Sequence, residues 1–214
     1  MDEFEQDIKE EIINSISHGI GFVLSILAFV VLLYFSIQYG NAKVIASAIV
    51  YGSSLLLMYL FSTLYHSIQN RKAKTVLRRL DHISIYLLIA GTYTPIALIS
   101  LNSMLGWVLF WVEASFAFIG ITFKAIFGPK LSIISSIFYL LMGWVAMIAI
   151  KPMVMAISIK GFLWIILGGA FYSLGVIFFA MDKRVKYFHA IWHLFVILGS
   201  LYHFIAILKF VILK

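Results

Sequence analysis

The last long apolar stretch of the chain runs from Tyr187 to Leu208 and reads YFHAIWHLFVILGSLYHFIAIL. It contains no Asp, Glu, Lys or Arg, and a run of about 20 such residues can cross the hydrocarbon core of a bilayer as one α-helix. His189 and His193 lie near its start, and their i, i+4 spacing brings both imidazoles to one face of a helix. The stretch therefore predicts a membrane-spanning helix with two histidines at one end.

The rest of the chain has the same apolar character. Hydrophobic residues make up 63% of the 214 residues, charged residues only 12%, and the mean hydropathy is +1.05, whereas a soluble domain averages about 25% charged residues. Seven buried helices of a soluble core would need amphipathic helices around them, and no residues remain for those. We therefore expect an all-α, polytopic integral membrane protein.

Apolar runs bounded by charged and turn residues predict seven transmembrane helices. They are Ser17–Gln38, Val44–Tyr65, Ile83–Leu101, Leu105–Phe123, Leu131–Ile150, Phe162–Ala180 and Tyr187–Leu208. Residues 17–214 then form one seven-helix bundle, and residues 1–16 form an acidic N-terminal segment without the basic start of a cleaved signal peptide.

The distribution of basic residues predicts the orientation. With seven spans, eleven Lys and Arg residues fall on the side of the N-terminus and five on the other side. By the positive-inside rule, the N-terminus and its acidic segment are cytoplasmic and the C-terminus is outside. The net charge of +7 comes from residues between spans, where they face lipid headgroups, so we expect no nucleic-acid partner.

Four ionisable residues are predicted at the same depth near the cytoplasmic face. His66 closes the second span, Asp81 opens the third, and His189 and His193 open the seventh. The chain has no cysteine, so any metal must be held by nitrogen and oxygen. If helices two, three and seven are neighbours, three imidazoles would leave a tetrahedral zinc ion one open position, with Asp81 beside it to accept a proton from water. Ser62, one helical turn before His66, would face the same way.

Simpler interpretations remain open for these residues. An HxxxH pair at a helix end is often interfacial or a packing pair, and a serine in a span often bonds its own helix. His203 is expected about 15 Å deeper than His193, too far for the same ion. His82 and His18 are expected to be polar anchors, and His18 is expected near the site if the first helix packs there. Glu113 is expected to be protonated, or to pair with Ser115, Lys124 or a residue of another helix.

Three motifs resemble a known family, the hemolysin III proteins, which are bacterial relatives of the progestin and adipoQ (adiponectin) receptors and, more distantly, of the alkaline ceramidases. They are Ser62-Thr-Leu-Tyr-His66, Leu80-Asp81-His82-Ile-Ser-Ile-Tyr86 running into Ala90-Gly-Thr-Tyr-Thr-Pro95, and Phe188-His189-Ala-Ile-Trp-His193. The resemblance implies seven helices in the inner (plasma) membrane and Zn²⁺ bound by His66, His189 and His193. It also implies that Asp81 holds a zinc-bound water and that Ser62 lies beside it.

Three functions are compatible with these features. The first is a zinc-dependent hydrolase of lipid amide or ester bonds, with membrane lipid as its partner and substrate. The second is a pore-forming, cytolytic hemolysin, although the spans have few polar residues for a wide aqueous pore. The third is a receptor-like regulator of membrane state in which zinc only stabilises the bundle. A haem held by a histidine pair is a weaker alternative that visible absorbance would test.

Overall fold

The computed structural model describes residues 7–128 and 132–214, and helices joined by short connections are the regular secondary structure of those ranges. Residues 1–6 of the predicted acidic segment lie outside the described residues. Lys130 and the predicted start of the fifth span at Leu131 also lie outside them. The seven α-helices of the described ranges are α1 Ile8–Tyr39, α2 Ala42–Ser67, α3 Arg71–Pro95, α4 Met104–Phe127, α5 Ser132–Trp144, α6 Ile150–Met181 and α7 Phe188–Ile207. Short helical segments of other types follow α3, α5 and α7, at Ile96–Leu101, Val145–Ala149 and Leu208–Ile212.

Asparagine side chains begin α2 and α3 directly after short connections. The Oδ1 atom of Asn41 accepts hydrogen bonds from the backbone N–H groups of Lys43 and Val44 at 3.0 and 3.2 Å. Asn70 does the same for Lys72 and Ala73, both at 3.1 Å. Such caps satisfy N–H groups that have no partner within the helix, so these tight links return the chain to the bilayer after each span.

Six helical stretches of the described residues are long and apolar enough to cross a membrane. Five of them correspond to single predicted spans. The sixth, Ile133–Met181, is 49 residues long and contains both the fifth and the sixth predicted span. Within it Ser158 has φ 64° and ψ 163°, which interrupts the helical backbone of α6. The count of seven crossings and the orientation of the termini stay predictions.

The chain doubles back within this long stretch. The indole Nε1 of Trp144 donates a hydrogen bond to the Oγ of Ser173 at 3.0 Å, across 29 positions of sequence. A continuous straight helix would hold these residues about 43 Å apart, at about 1.5 Å per residue. The segment containing Val145–Ala149 and Ser158 therefore reverses the direction of the chain.

Helix α1 packs against both α2 and α7, α2 packs on α3, and α6 packs on α7. Close approach of α1 to α2 depends on Gly21, because a Cβ atom there would lie 2.5 Å from the ring of Tyr59. The same Tyr59 donates a hydrogen bond to Ser200 of α7 at 2.9 Å. Helices α2 and α7 thus meet through side chains, with α1 as their common neighbour.

The polarity of the bundle is inverted relative to a soluble protein. On α1 the outward residues are apolar and exposed, among them Ile20, Val23, Leu27 and Val30, whereas Glu11, Asn14, His18 and Ser25 are buried. This arrangement suits a protein whose surface faces lipid, because polar groups are costly there and find hydrogen-bond partners only inside the bundle.

Candidate metal centre

Three imidazoles from two helices converge at one end of the bundle. One ring nitrogen from each of His66, His189 and His193 lies within 4.8 Å of the other two. The ring centroids of His66 lie 5.0 Å from His189 and 5.1 Å from His193. His66 and His193 are buried and His189 is partly exposed, so the cluster borders the surface at His189.

Helix ends position these rings. His66 is the penultimate residue of α2, and His189 is the second residue of α7. Tyr187, with φ 65°, precedes α7 in a left-handed conformation, and its backbone N–H donates to the carboxylate of Glu10 at 2.7 Å. The Glu10 carboxylate on α1 thus holds the start of α7. His189 and His193 project from that end of α7, one helical turn apart.

Each of the three rings makes one hydrogen bond through Nδ1. His66 bonds Oε2 of Glu11 at 2.8 Å, His189 bonds Oδ2 of Asp182 at 2.8 Å, and His193 bonds Oγ of Ser17 at 2.8 Å. The Nε2 atom of His66 is buried and has no hydrogen-bond partner among the described residues.

Asp81 and Ser62 lie beside the cluster. The Asp81 carboxylate interacts with the Ser62 hydroxyl and, electrostatically, with His189. Ser62 is buried, and its Oγ lies 2.7 Å from Nδ1 of His18. The ring of His18 in turn stacks on His193, with centroids 3.5 Å apart. Packing of α1 therefore brings His18 to the site, the second of its two expected positions.

The remaining predicted polar residues lie away from the cluster. Nε2 of His203 bonds the backbone carbonyl of Ile165 at 3.0 Å, as expected of a buried hydrogen-bonding group. His82 is buried near Phe179, with ring centroids 6.4 Å apart. The carboxyl oxygens of Glu113 and the Nζ of Lys124 have no hydrogen-bond partner among the described residues, so the pairing considered for Glu113 is absent there.

The sequence prediction missed the contributions of Glu11, Ser17, Lys74 and Asp182. A signal for α1 was present, because Glu11, Asn14 and His18 have the i, i+3, i+7 spacing of one helical face at the start of an apolar span. Polar residues on such a face are expected to point into the bundle.

The donor set fits a divalent metal. Imidazole nitrogens suit zinc, and in a tetrahedral site with bonds of about 2.0–2.1 Å the nitrogens lie about 3.4 Å apart. The histidine atoms that lie within 4.8 Å of one another approach that spacing, and the unpartnered Nε2 of His66 is the kind of buried acceptor that a metal would satisfy.

These features define a class: a helical, multi-pass membrane protein with a cluster of three histidines, two of them buried. The family model described as "Haemolysin-III related" matches residues 6–204. The chain is 47% identical over 201 residues to "Hemolysin-3 homolog" of Bacillus subtilis (strain 168), covering 94% of each chain. It is 44% identical over 212 residues to "Hemolysin-3" of Bacillus cereus, covering 99% of this chain and 96% of that one.

A more distant similarity extends to animals. The chain is 30% identical over 173 residues to "Monocyte to macrophage differentiation factor" of Homo sapiens, which covers 77% of this chain and 70% of the human one. The protein belongs to the haemolysin-III related family. With six membrane-length apolar helices among its described residues, it is a multi-pass protein of the plasma membrane.

Proposed function

We propose that this protein is a zinc-dependent hydrolase of lipid amide or ester bonds, a ceramidase-like lipid amidase in its chemistry. The observation that carries this proposal is the meeting of His66, His189 and His193 next to Asp81 and Ser62 at a site bordering the membrane surface. Three neutral nitrogen ligands leave a tetrahedral ion one open position, as in catalytic rather than structural zinc sites.

Each residue then has a chemical task. Zinc, when bound, supplies a Lewis acid and lowers the pKa of water to about 7. The Asp81 carboxylate accepts a proton from the attacking water, whose oxygen forms a bond to the lipid carbonyl carbon. The carbon–nitrogen or carbon–oxygen bond breaks, and the leaving amine or alcohol takes up the proton from Asp81. Ser62 orients Asp81 through its hydroxyl, and the products are a fatty acid and the deacylated lipid.

A seven-span topology with a cytoplasmic N-terminus belongs to this proposal. His66 at the end of α2 and His189 at the start of α7 meet, so both lie on the same side of the bilayer. Helices α3 and α4 leave and return to that side, and the stretch Ile133–Met181 must therefore also cross and return. The doubling back between Trp144 and Ser173 supports two crossings there, and the excess of basic residues on the side of the cluster supports a cytoplasmic site.

The test uses the full chain purified in mild detergent. Elemental analysis is expected to find about one zinc per chain. Fatty acid release from a ceramide and from a phospholipid, followed by mass spectrometry, should stop after chelation and return when zinc is restored. Zinc without fatty acid release from either lipid class would refute the hydrolase, and protein purified without any bound metal would refute the metal centre itself.

A cytolytic function is the second proposal, and it is favoured by the names of the two Bacillus relatives. Pore formation requires neither the histidine cluster nor Asp81. Dye leakage from liposomes that persists after replacement of His189 and His193 by alanine would support it over hydrolysis.

The third proposal is a zinc-stabilised regulator in which the ion joins α2 to α7 without turnover. It predicts bound zinc, metal-dependent thermal stability and no lipid product. The zinc and fatty acid measurements described above separate it from the hydrolase.

A further inference from the structure

We infer that Glu11, Ser17 and Asp182 form an outer shell that holds the three histidines in the tautomer required for metal binding, and that two of these positioning residues belong to α1. The inference rests on the metal centre of the proposed function, and it does not depend on hydrolysis. Its evidence is a distinct hydrogen bond to Nδ1 of each ring, at 2.8 Å in all three cases.

The contact of Ser17 determines where the proton of His193 lies. The Ser17 hydroxyl donates its single hydrogen to the backbone carbonyl of Asn14 at 2.9 Å. Its Oγ can therefore only accept from Nδ1 of His193. Because a neutral imidazole carries one N–H, Nε2 of His193 keeps its lone pair for a metal.

The carboxylates of Glu11 and Asp182 likewise place the ring proton on Nδ1 of His66 and His189. Ionised Glu11 and Asp182 are acceptors only, so Nδ1 of His66 and Nδ1 of His189 donate to them. A carboxylate bonded to the distal N–H of a metal ligand fixes the ring and raises the basicity of the ligating nitrogen. All three rings thus present Nε2 with a free lone pair.

Lys74 keeps Glu11 suited to this task. The Nζ of Lys74 lies 2.9 Å from Oε1 of Glu11, and the two side chains are only 4% and 6% exposed. A buried carboxylate without a cation is costly, whereas this pair keeps Glu11 ionised while its other oxygen, Oε2, serves His66. The chain Lys74–Glu11–His66 links α3, α1 and α2 behind the metal centre.

Two serines of α1 provide a matched comparison. Ser17 bonds a cluster histidine, whereas Ser15, two residues earlier, bonds the hydroxyl of Ser67 at 2.6 Å on α2. Both substitutions to alanine remove one hydroxyl and one interhelical hydrogen bond from the same helix. Only Ser17→Ala removes the partner of a proposed metal ligand.

The experiment measures metal affinity of the full chain in detergent. Metal-free protein is titrated with Zn²⁺ against a competing chelator, and with Co²⁺ to record its visible spectrum. We expect Glu11→Ala to weaken Zn²⁺ binding about 10- to 100-fold and Ser17→Ala about 10-fold, as for outer partners of other zinc ligands, and Ser15→Ala to leave it unchanged. The Co²⁺ bands should shift in Glu11→Ala and not in Ser15→Ala.

Glu11→Gln provides a second test in case Glu11→Ala does not fold. Its side-chain carbonyl can still accept from His66 but carries no charge, so its affinity should lie between those of the wild type and Glu11→Ala. If folded Glu11→Ala keeps the wild-type Zn²⁺ affinity and an unshifted Co²⁺ spectrum, the inference is overturned. If Glu11→Ala does not fold, the same result in both Glu11→Gln and Ser17→Ala overturns it. A wild type that binds metal but releases no fatty acid would refute only the hydrolase.

Discussion

Nδ1 of His66 lies 2.8 Å from Oε2 of Glu11, although 55 positions of sequence separate the two residues. The bond joins the end of α2 to the beginning of α1. Because Ser17 also contacts His193, α1 forms hydrogen bonds to two of the three cluster histidines.

The first prediction concerns Asp81. Asp81→Asn keeps the size of the side chain but removes the acceptor of the water proton, so lipid hydrolysis should fall by about 100-fold or more. Zinc content should stay at the wild-type level, because Asp81 is not one of the three proposed metal ligands. Asp7→Asn, at the exposed start of α1, is the control and should retain both properties. Full hydrolysis by Asp81→Asn would exclude Asp81 as the base.

The second prediction concerns the paired histidines of α7. His189→Ala with His193→Ala removes two of three nitrogen donors, so metal content should fall to background. The melting temperature should also drop, because a ligand at a hundredfold excess over its Kd stabilises the folded state by about 2.7 kcal/mol. His203→Gln replaces a partly buried histidine of the same helix, and elemental analysis should find its metal unchanged. Retention of zinc by the double variant would be decisive against the site.

The packing of α1 on α2 gives a third prediction. A Cβ atom at Gly21 would lie 2.5 Å from the Tyr59 ring, so Gly21→Ala should lower stability by about 1–3 kcal/mol through overpacking. It should also weaken zinc binding, because it moves α1 away from the cluster. At Gly143 a Cβ atom meets nothing within 4 Å. Gly143→Ala should therefore match the wild type in thermal unfolding, and equal stability of the two variants would contradict the packing argument.

Topology gives a fourth prediction, which the absence of cysteine from the chain makes straightforward to test. With seven spans, Lys214→Cys should react with an impermeant maleimide added outside intact cells, and Lys186→Cys should react only after permeabilisation. Asn102→Cys, predicted outside, is the positive control. Labelling of Lys186→Cys from outside, with Lys214→Cys protected, would mean that Ile133–Met181 crosses only once.

The convergence of His66, His189 and His193 could be anticipated from sequence because alternating spans place residues at matched depths. The depth of a residue in the membrane depends only on the span boundaries, which can be predicted from the strong hydropathy of the spans. The identity of neighbouring helices does not follow from that pattern. The sequence therefore predicted α1 at the site only conditionally, through His18, although Glu11, Asn14 and His18 share one helical face.

The region between the fifth and sixth predicted spans shows another limit. The predicted spans Leu131–Ile150 and Phe162–Ala180 left residues 151–161 as a connection between them, whereas the described chain there stays helical except at Ser158. Local hydropathy reports which residues tolerate lipid, but it does not report where the backbone turns. Likewise, the sequence offered partners for Glu113 that the packing of α4 does not bring to it.

The contacts of α1 with α7 have a consequence for biogenesis. Translation produces α1 before α7; α1 supplies Glu11 and Ser17 beside the cluster, and α7 supplies two of its three histidines. A nascent chain that still lacks α7 has only His66 of the three rings, so it could not assemble the proposed metal centre. If the proposed centre binds metal, capture of the ion would follow the insertion of α7.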